Sequence, residues 1–578
     1  MKLYKVPVPT KELNMSIIET KNKVRWLENK KFKHFDNPHK TYEEIKQDNK
    51  HCIEHTNVCE DIKKIVSNSE QVAKHSFYPF IAFNIQERKV SKIKALQEEI
   101  RYLENKINTT DNEADKLEFK KRLKDIKENF KEKVTKTRPI KYASHMDGHI
   151  YGYYASQVLL PQYERKVQKY NLDKEILAYR SIPDEYKGNK DFHRTSNVTM
   201  AKEIFEQILL RKCQCVALAY DLKSFYDTID HKKLKEAWCK VMDFDKLPAD
   251  HYNIYKSLTK FCFIDLKRVC EYFNYKKYCC SKDGKVCGNC SLCRNPKTNK
   301  LPKILFRNAS EFRKFKEWCG NDVFQQNKGL EDKDNPYGIP QGSALSSVLS
   351  NIYMLDFDIK VKEFLEDKNA IYRRYCDDIM IVCNKEDKDV IDNFLRDEIK
   401  KQGQYLKIHD IEEGFKYSKS QVYDFTNKEK ITKQPLQYLG FCFDGKIVTI
   451  RGNSLSRYYR KAYKGIVASR LNVLRKLYDI HIKGLPLIEK YKKLYRRKLY
   501  ERYTTLGKNN FHTYVKRAFS GMEGIDNKRI RKQLSNHMKK IKRDISIQDT
   551  YISKAWDLLS NIDKSISYDE YLYEVYSK

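Results

Sequence analysis

No stretch of this sequence stays apolar for the roughly 20 residues that a bilayer-spanning helix takes. The segment Met1 to Glu28 has no apolar signal core either. Acid is in short supply: 78 Asp and Glu face 114 Lys and Arg, which leaves a formal charge of +36. The first two absences argue against a membrane-spanning or secreted chain and lead to the expectation of a cytoplasmic protein. Its 16 cysteines then read as thiols or metal ligands and not as a disulfide framework. The third absence bears on partners. So large a cationic excess repels itself in the compact state, and nucleic acid is the usual polyanion that neutralises it. The alternatives are a merely soluble basic protein or one that touches anionic lipid.

The chain is long enough for about three or four domain-sized units. Residues 1–75 read as helical and polar. His51, Cys52, His55 and Cys59 fall there with a spacing that fits no common metal site, and chance placement on helices explains them. Over 88–135, Val90, Ile93, Leu96, Ile100, Leu103 and Ile107 step by three and four, the seam of a helix that pairs with another. The turn Asn108-Thr109-Thr110-Asp111-Asn112 breaks this run, and Leu123, Ile126 and Phe130 continue a second one. Strand-like Phe80–Ile85 and Arg138–Tyr142 flank the pair. The expectation is an antiparallel helical hairpin protruding from a small sheet. It is either a surface helical pair or a nucleic-acid contact. Mixed α/β patterning follows from Cys213, with a lysine- and cysteine-rich stretch at about 270–325 that looks inserted. After Arg451 the chain is helical and basic.

The chemistry sits in three blocks. In the first, Val216 to Leu222 is an apolar strand that delivers Asp221 at its end, followed by Tyr226. In the second, Tyr375-Cys376-Asp377-Asp378-Ile379 joins two strand-forming runs, a β-hairpin with carboxylates at its tip. Adjacent acids repel unless a divalent cation lies between them. Phosphoryl transfer needs such a cluster, because two magnesium ions about 4 Å apart stabilise the attacking and leaving oxygens of an in-line displacement. The third block, Pro336-Tyr337-Gly338-Ile339-Pro340-Gln341-Gly342-Ser343-Ala344-Leu345-Ser346-Ser347, is a glycine–proline turn entering a helix of small residues. Such a turn lets backbone approach a nucleotide closely.

Taken in chain order, the Asp221 block, the glycine–proline block and the acidic hairpin resemble motifs A, B and C of reverse transcriptases. Leu439-Gly440-Phe441 resembles the primer grip of that family. The resemblance is most specific over residues 138–445. Arg138-Pro139-Ile140 with Ala143-Ser144-His145, then Ala178-Tyr179-Arg180 and Arg451-Gly452-Asn453-Ser454-Leu455-Ser456, are similar to the bacterial abortive-infection and unknown-group enzymes of anti-phage defence. The resemblance implies an α+β right-hand polymerase: fingers over 76–215 with the hairpin inserted at 88–135, palm over 216–450, and a helical thumb over 451–578. It implies magnesium on Asp221, Asp377 and Asp378. It also implies triphosphate contacts from Arg138 and Arg180, a sugar gate at Tyr226 that favours deoxynucleotides, Gln341 beside the incoming nucleotide, and Lys419 (with Lys416 as rival) protonating the leaving pyrophosphate. Such relatives work with a non-coding RNA, as homo-oligomers, and in some cases beside a second reverse transcriptase. The expected activity is RNA-directed DNA synthesis from deoxynucleoside triphosphates. The alternatives are non-templated or protein-primed synthesis at the same site, or a catalytically silent nucleic-acid scaffold.

Two further features lie outside that pattern. Cys287, Cys290 and Cys293 form two overlapping C-x-x-C steps, and Cys280 or Cys279 supplies a fourth thiolate for structural zinc. An iron–sulfur cluster or reduced thiols are the alternatives. In the basic C-terminal region, Arg457, Arg460, Lys461, Arg496 and Arg497 stand among Tyr458, Tyr459, Tyr463, Tyr491, Tyr495, Tyr500 and Tyr503. That is a composition suited to a nucleic-acid track, or to a solvated helix face over buried rings.

Overall fold

The computed structural model describes residues 62–88, 90–110, 112–130, 135–180, 182, 196–272, 309–320, 323–410, 420–561 and 566–577. The His51–Cys59 group, the five cysteines of the proposed zinc site, Lys416 and Lys419 lie outside these residues. The chain divides into two compact units. One is Met1–Ile182 with Leu218–Val422; the other is Pro183–Ala217 with Tyr423–Lys578.

In the first unit, strands β1 (Phe80–Arg88) and β2 (Thr135–Tyr142) pair antiparallel from Ile81↔Tyr142 to Arg88↔Thr135. Helices α1 (Val90–Thr109) and α2 (Glu113–Glu128) lie between them in sequence, so the expected helical hairpin emerges from the end of a β-ladder. Leu103 and Ile126 are buried between the helices, and Arg122–Glu99 and Lys127–Glu104 bridge them at 2.7 and 2.9 Å. β1 also pairs, in parallel, with β3 of the sheet's other side, Cys262–Asp265, which in turn pairs with Gln325–Gln326. Helices Leu266–Tyr272 and Ala309–Cys319 pack on this sheet through Ile81, Ile264, Leu266, Val269, Cys270 and Phe315. The described ends of 270–325 belong to the core, because Cys270 and Phe315 are fully buried there.

A second four-stranded sheet carries the acidic residues. Its order is Ile371–Tyr375, Asp378–Cys383, Val216–Asp221, Gln421–Asp424. The strand ending at Asp221 is buried along most of its length, and the first two strands form an antiparallel hairpin, Ile371↔Val382 to Tyr375↔Asp378. The helix Ala344–Tyr353 is buried at every position but Ser347, and its buried polar side chains Ser346, Ser350 and Asn351 donate to the carbonyls of Pro340, Ser347 and Ala178. Ser343 caps it, accepting a hydrogen bond from the Leu345 amide.

The second unit joins the helix Asn197–Leu210 to a three-stranded antiparallel sheet of Leu436–Tyr438, Phe441–Phe443 and Val448–Ile450, with Phe205 stacked on Phe443. The rest is helical, led by Gly452–Ile482 and His537–Leu559. Tyr458, Ala462 and Ile466, stepping by four, turn one face of the first of these helices into the core.

Candidate active site

Asp221 ends its strand, and Asp377 occupies the two-residue turn of the neighbouring hairpin. The Leu222 amide donates to the Asp377 carbonyl at 3.1 Å, so the two acids come from adjacent backbone positions. Cys376, first residue of that turn, has φ +60°, the sense that primed hairpin turns need. Asp378 opens the next strand and is exposed. His409 flanks Asp221: its amide donates to the Asp221 carbonyl (3.0 Å), and its Nε2 lies 3.5 Å from the carboxylate. Asp410, next in the chain, pairs with Lys223 at 2.9 Å.

The glycine–proline loop is sewn to the first acidic block. Gly338 and Ile339 amides donate to the carbonyls of Ile229 and Tyr226 (2.8 and 2.9 Å), and His231 Nε2 donates to the Gly338 carbonyl (2.7 Å). At the loop's far end the Lys141 amide donates to the Gln341 carbonyl at 2.9 Å. Gly342 has φ +124°, and a Cβ there would stand 2.8 Å from the Lys141 carbonyl oxygen. Only glycine fits both constraints. The Lys141 side chain is buried, with its ammonium over the rings of Phe261 and Phe263 at 5.0 and 5.2 Å. Burial lowers its pKa against the pull of Asp227, whose carboxyl burial raises.

Among the described residues no group of three or more His, Cys, Asp or Glu side chains surrounds a common point. Magnesium does not demand one. It is usually held by one or two carboxylates, while substrate phosphates and water complete its shell. Asp221 and Asp377, hard oxygen donors from neighbouring backbone, fit that requirement.

Residues 301–443 match the family model described as reverse transcriptase (RNA-dependent DNA polymerase). The chain carries a reverse transcriptase domain. Its fold is mixed α+β, and the matched span holds the Gln341 loop, the Asp377–Asp378 hairpin and Leu439-Gly440-Phe441, while Asp221 precedes it. No curated protein matches the chain. Among solved structures it is similar to telomerase from Candida albicans in complex with the TWJ fragment of telomeric RNA. The identity is 13% over 76% of this chain and 60% of that one, with a TM-score of 0.31. It is also similar to apo telomerase from Candida tropicalis truncated from the C-terminal domain, at 13% identity over 55% of this chain and 54% of that one, TM-score 0.29. This chain thus spans under two thirds of the length of both.

Near Asp221 and Asp377, Tyr226 is half-buried, with its hydroxyl 3.1 Å from that of Tyr179 and 3.5 Å from Cys376 Sγ. Arg138 is exposed on β2, opposite Ile85. Gln341 sits in the loop that enters the small-residue helix, its carbonyl accepting from the Lys141 amide of β2. Arg180 departs from expectation. Its guanidinium is buried, donating to both Glu164 oxygens, to Asp173 Oδ1 and to the carbonyls of Asp173 and Ile176. Those bonds occupy its donors, so it anchors the chain internally and presents nothing to a triphosphate.

Most of the C-terminal tyrosines follow the second of the two sequence readings, rings buried beneath a solvated face. Tyr458 and Tyr503 are buried, and Tyr459, Tyr491 and Tyr500 pack against the same core. Only Tyr463 and Tyr495 of the seven are largely exposed, at 48% and 61%. The cations stay outside: Arg457, Arg460 and Lys461 are exposed along Gly452–Ile482. Arg496 and Arg497, though exposed, are paired with Asp549 and Glu501.

Sequence reading missed His409, Tyr179, Cys376, Lys141 and Arg374. Arg374 alone left a signal, a charge inside a run patterned as a buried strand. His409 reaches Asp221 from a segment with no motif.

No helix among the described residues is long and apolar enough to cross a membrane.

Proposed function

We propose that this chain copies RNA into DNA, adding deoxynucleotides at a site built on Asp221 and Asp377, with Asp378 assisting. The observation that carries the reading is the Leu222–Asp377 backbone bond, which makes neighbours of two carboxylates separated by more than 150 residues of chain. Magnesium held there would supply electrophilic stabilisation of the attacking and leaving oxygens. The protein's own part is placement. The ladder fixes both acids, the loop at Gln341 brings backbone towards the base-pair pocket, and the Tyr226 ring stands where a ribose 2′-hydroxyl would need room. The exposed cations of Gly452–Ile482 supply the surface for primer–template or a dedicated RNA. The place of the enzyme in anti-phage defence, its RNA partner and its self-association rest on the resemblance of its finger and thumb motifs to abortive-infection enzymes.

The test is Asp221→Asn and Asp377→Asn in the full chain. A loss of several kcal/mol of electrostatic stabilisation corresponds to more than about a hundredfold in incorporation rate, with the unfolding midpoint little changed. Incorporation near the wild-type rate by either variant removes the assignment. The same variants scored for phage plating examine the defence role.

A further inference from the structure

Tyr179 adopts φ +60°, a backbone region that bulky residues rarely enter. Its neighbours hold it there. The Leu177 amide donates to the Arg374 carbonyl (2.9 Å), and Asn351 Nδ2 donates to the Ala178 carbonyl (2.8 Å). On its other side Arg180 is anchored by Glu164 and Asp173. A strained conformation fixed this firmly from both sides is the kind that persists at working sites. Its effect is to bring the Tyr179 hydroxyl 3.1 Å from that of Tyr226, at the point where Cys376 Sγ also meets Tyr226 (3.5 Å). Cys376 immediately precedes Asp377. The three groups therefore join the first acidic block, the acidic hairpin and the Ala178-Tyr179-Arg180 segment.

We infer that Tyr179 is a positioning residue for sugar selection: its hydroxyl tethers the Tyr226 ring in the orientation that obstructs a ribose 2′-hydroxyl. The inference rests on the reading of Tyr226 as the sugar gate. A ring held by one half-buried hydrogen bond gains a preference for that orientation of about 2- to 10-fold, the equilibrium equivalent of one net hydrogen bond. Tyr179 touches no substrate in this account and acts only through Tyr226.

The experiment measures kcat/KM for dUTP and for UTP, which differ only at the 2′ position, on oligo(dT) primed on poly(rA). It uses the full chain and its Tyr179→Phe, Tyr226→Phe and Tyr226→Ala variants, together with the Tyr179→Phe/Tyr226→Phe pair. Tyr226→Ala should lose discrimination. Tyr179→Phe should lower the dUTP/UTP ratio about 2- to 10-fold, leaving kcat for dUTP and the thermal midpoint unchanged. The double Phe variant should be no less selective than Tyr226→Phe, because both remove the same bond. Should Tyr179→Phe not fold, Tyr226→Phe removes that bond from the other side, together with the Cys376 contact, and must show at least that loss. Full selectivity in Tyr179→Phe alongside lost selectivity in Tyr226→Ala overturns the tether while sparing the gate. So does an equal fall in kcat for both sugars, which marks a structural role. Discrimination kept by Tyr226→Ala overturns the gate itself, and the tether with it.

Discussion

Arg374 holds Asp358 through two parallel bonds, Nε to Oδ1 at 2.7 Å and a terminal nitrogen to Oδ2 at 2.5 Å, and neither side chain has any solvent exposure. Tyr372 donates to the same carboxylate at 2.6 Å. The other guanidinium nitrogen donates to Asn351 Oδ1 and to the Cys376 carbonyl, both at 3.2 Å. The pair thus fixes the small-residue helix and the turn that carries Asp377 to one another. Breaking a buried pair from one side strands a charge, which costs about 3–5 kcal/mol. Asp358→Asn or Arg374→Met should each lower stability by that amount in urea unfolding and slow incorporation as well. The joint replacement by apolar residues of similar volume should cost less than either single change. A decrease under about 1 kcal/mol in either single variant would mean the pair behaves as if solvated.

Gly342→Ala should be damaging and Gly452→Ala harmless. The first forces a methyl to 2.8 Å from the Lys141 carbonyl at φ +124°, whereas a Cβ on Gly452, at the start of its helix, meets nothing within 4 Å. The expected cost at Gly342 exceeds about 1 kcal/mol, and the expected change at Gly452 is neutral or a slight gain. Chemical denaturation and primer extension on the two variants check this, and similar behaviour of both would contradict it.

How far the sequence was legible depends on how local the cause was. The strand to Asp221, the acidic hairpin and the paired helices between β1 and β2 were all written in short apolar periods, and they stand where those periods put them. Tyr458, Ala462 and Ile466 step by four on one face, so the burial of Tyr458 was readable too, though the mixture of rings and cations pointed to a surface. Arg180 was not readable. Its acceptors, Glu164 and Asp173, are ordinary surface acids until the chain folds them round the guanidinium. His409 illustrates the same limit, since nothing in its neighbours foretells a meeting with Asp221.

The second unit should weaken in mild acid. His512 and His537 lie with ring centroids 4.2 Å apart, and burial lowers both pKa values, that of His512 to about 4. His537 Nε2 is engaged with the Tyr503 carbonyl, while its Nδ1 and His512 Nε2 are buried without partners; Lys540 adds positive charge nearby. The unfolded chain takes up protons below the ordinary value of about 6.5, and the folded one resists until lower pH. This contribution is therefore complete above 6.5 and lost as pH falls towards 4. Denaturation midpoints between these limits should fall, and His512→Phe should flatten the slope. An equally steep slope in that variant would acquit the pair.

Removing the exposed cations should weaken binding to every sequence alike. Replacing Arg457, Arg460 and Lys461 with Ala should lower affinity for primer–template. It should also reduce the slope of log affinity against log salt by about 0.7–0.9 for each phosphate that the variant no longer neutralises. Filter binding at several salt concentrations checks both quantities, and an unchanged slope would show that these side chains meet no phosphate.

Arg88 and Thr135 stand opposite each other at the last rung of the β1–β2 ladder, so everything between them leaves and rejoins the sheet at one doorway. The rungs from Ile81↔Tyr142 to Arg88↔Thr135 lie on the sheet's side of that doorway. Mutation can lengthen, shorten or swap this cassette while the acids at Asp221 and Asp377 keep their places. Evolution is therefore free to try new attachments at that rim without putting the chemistry at risk.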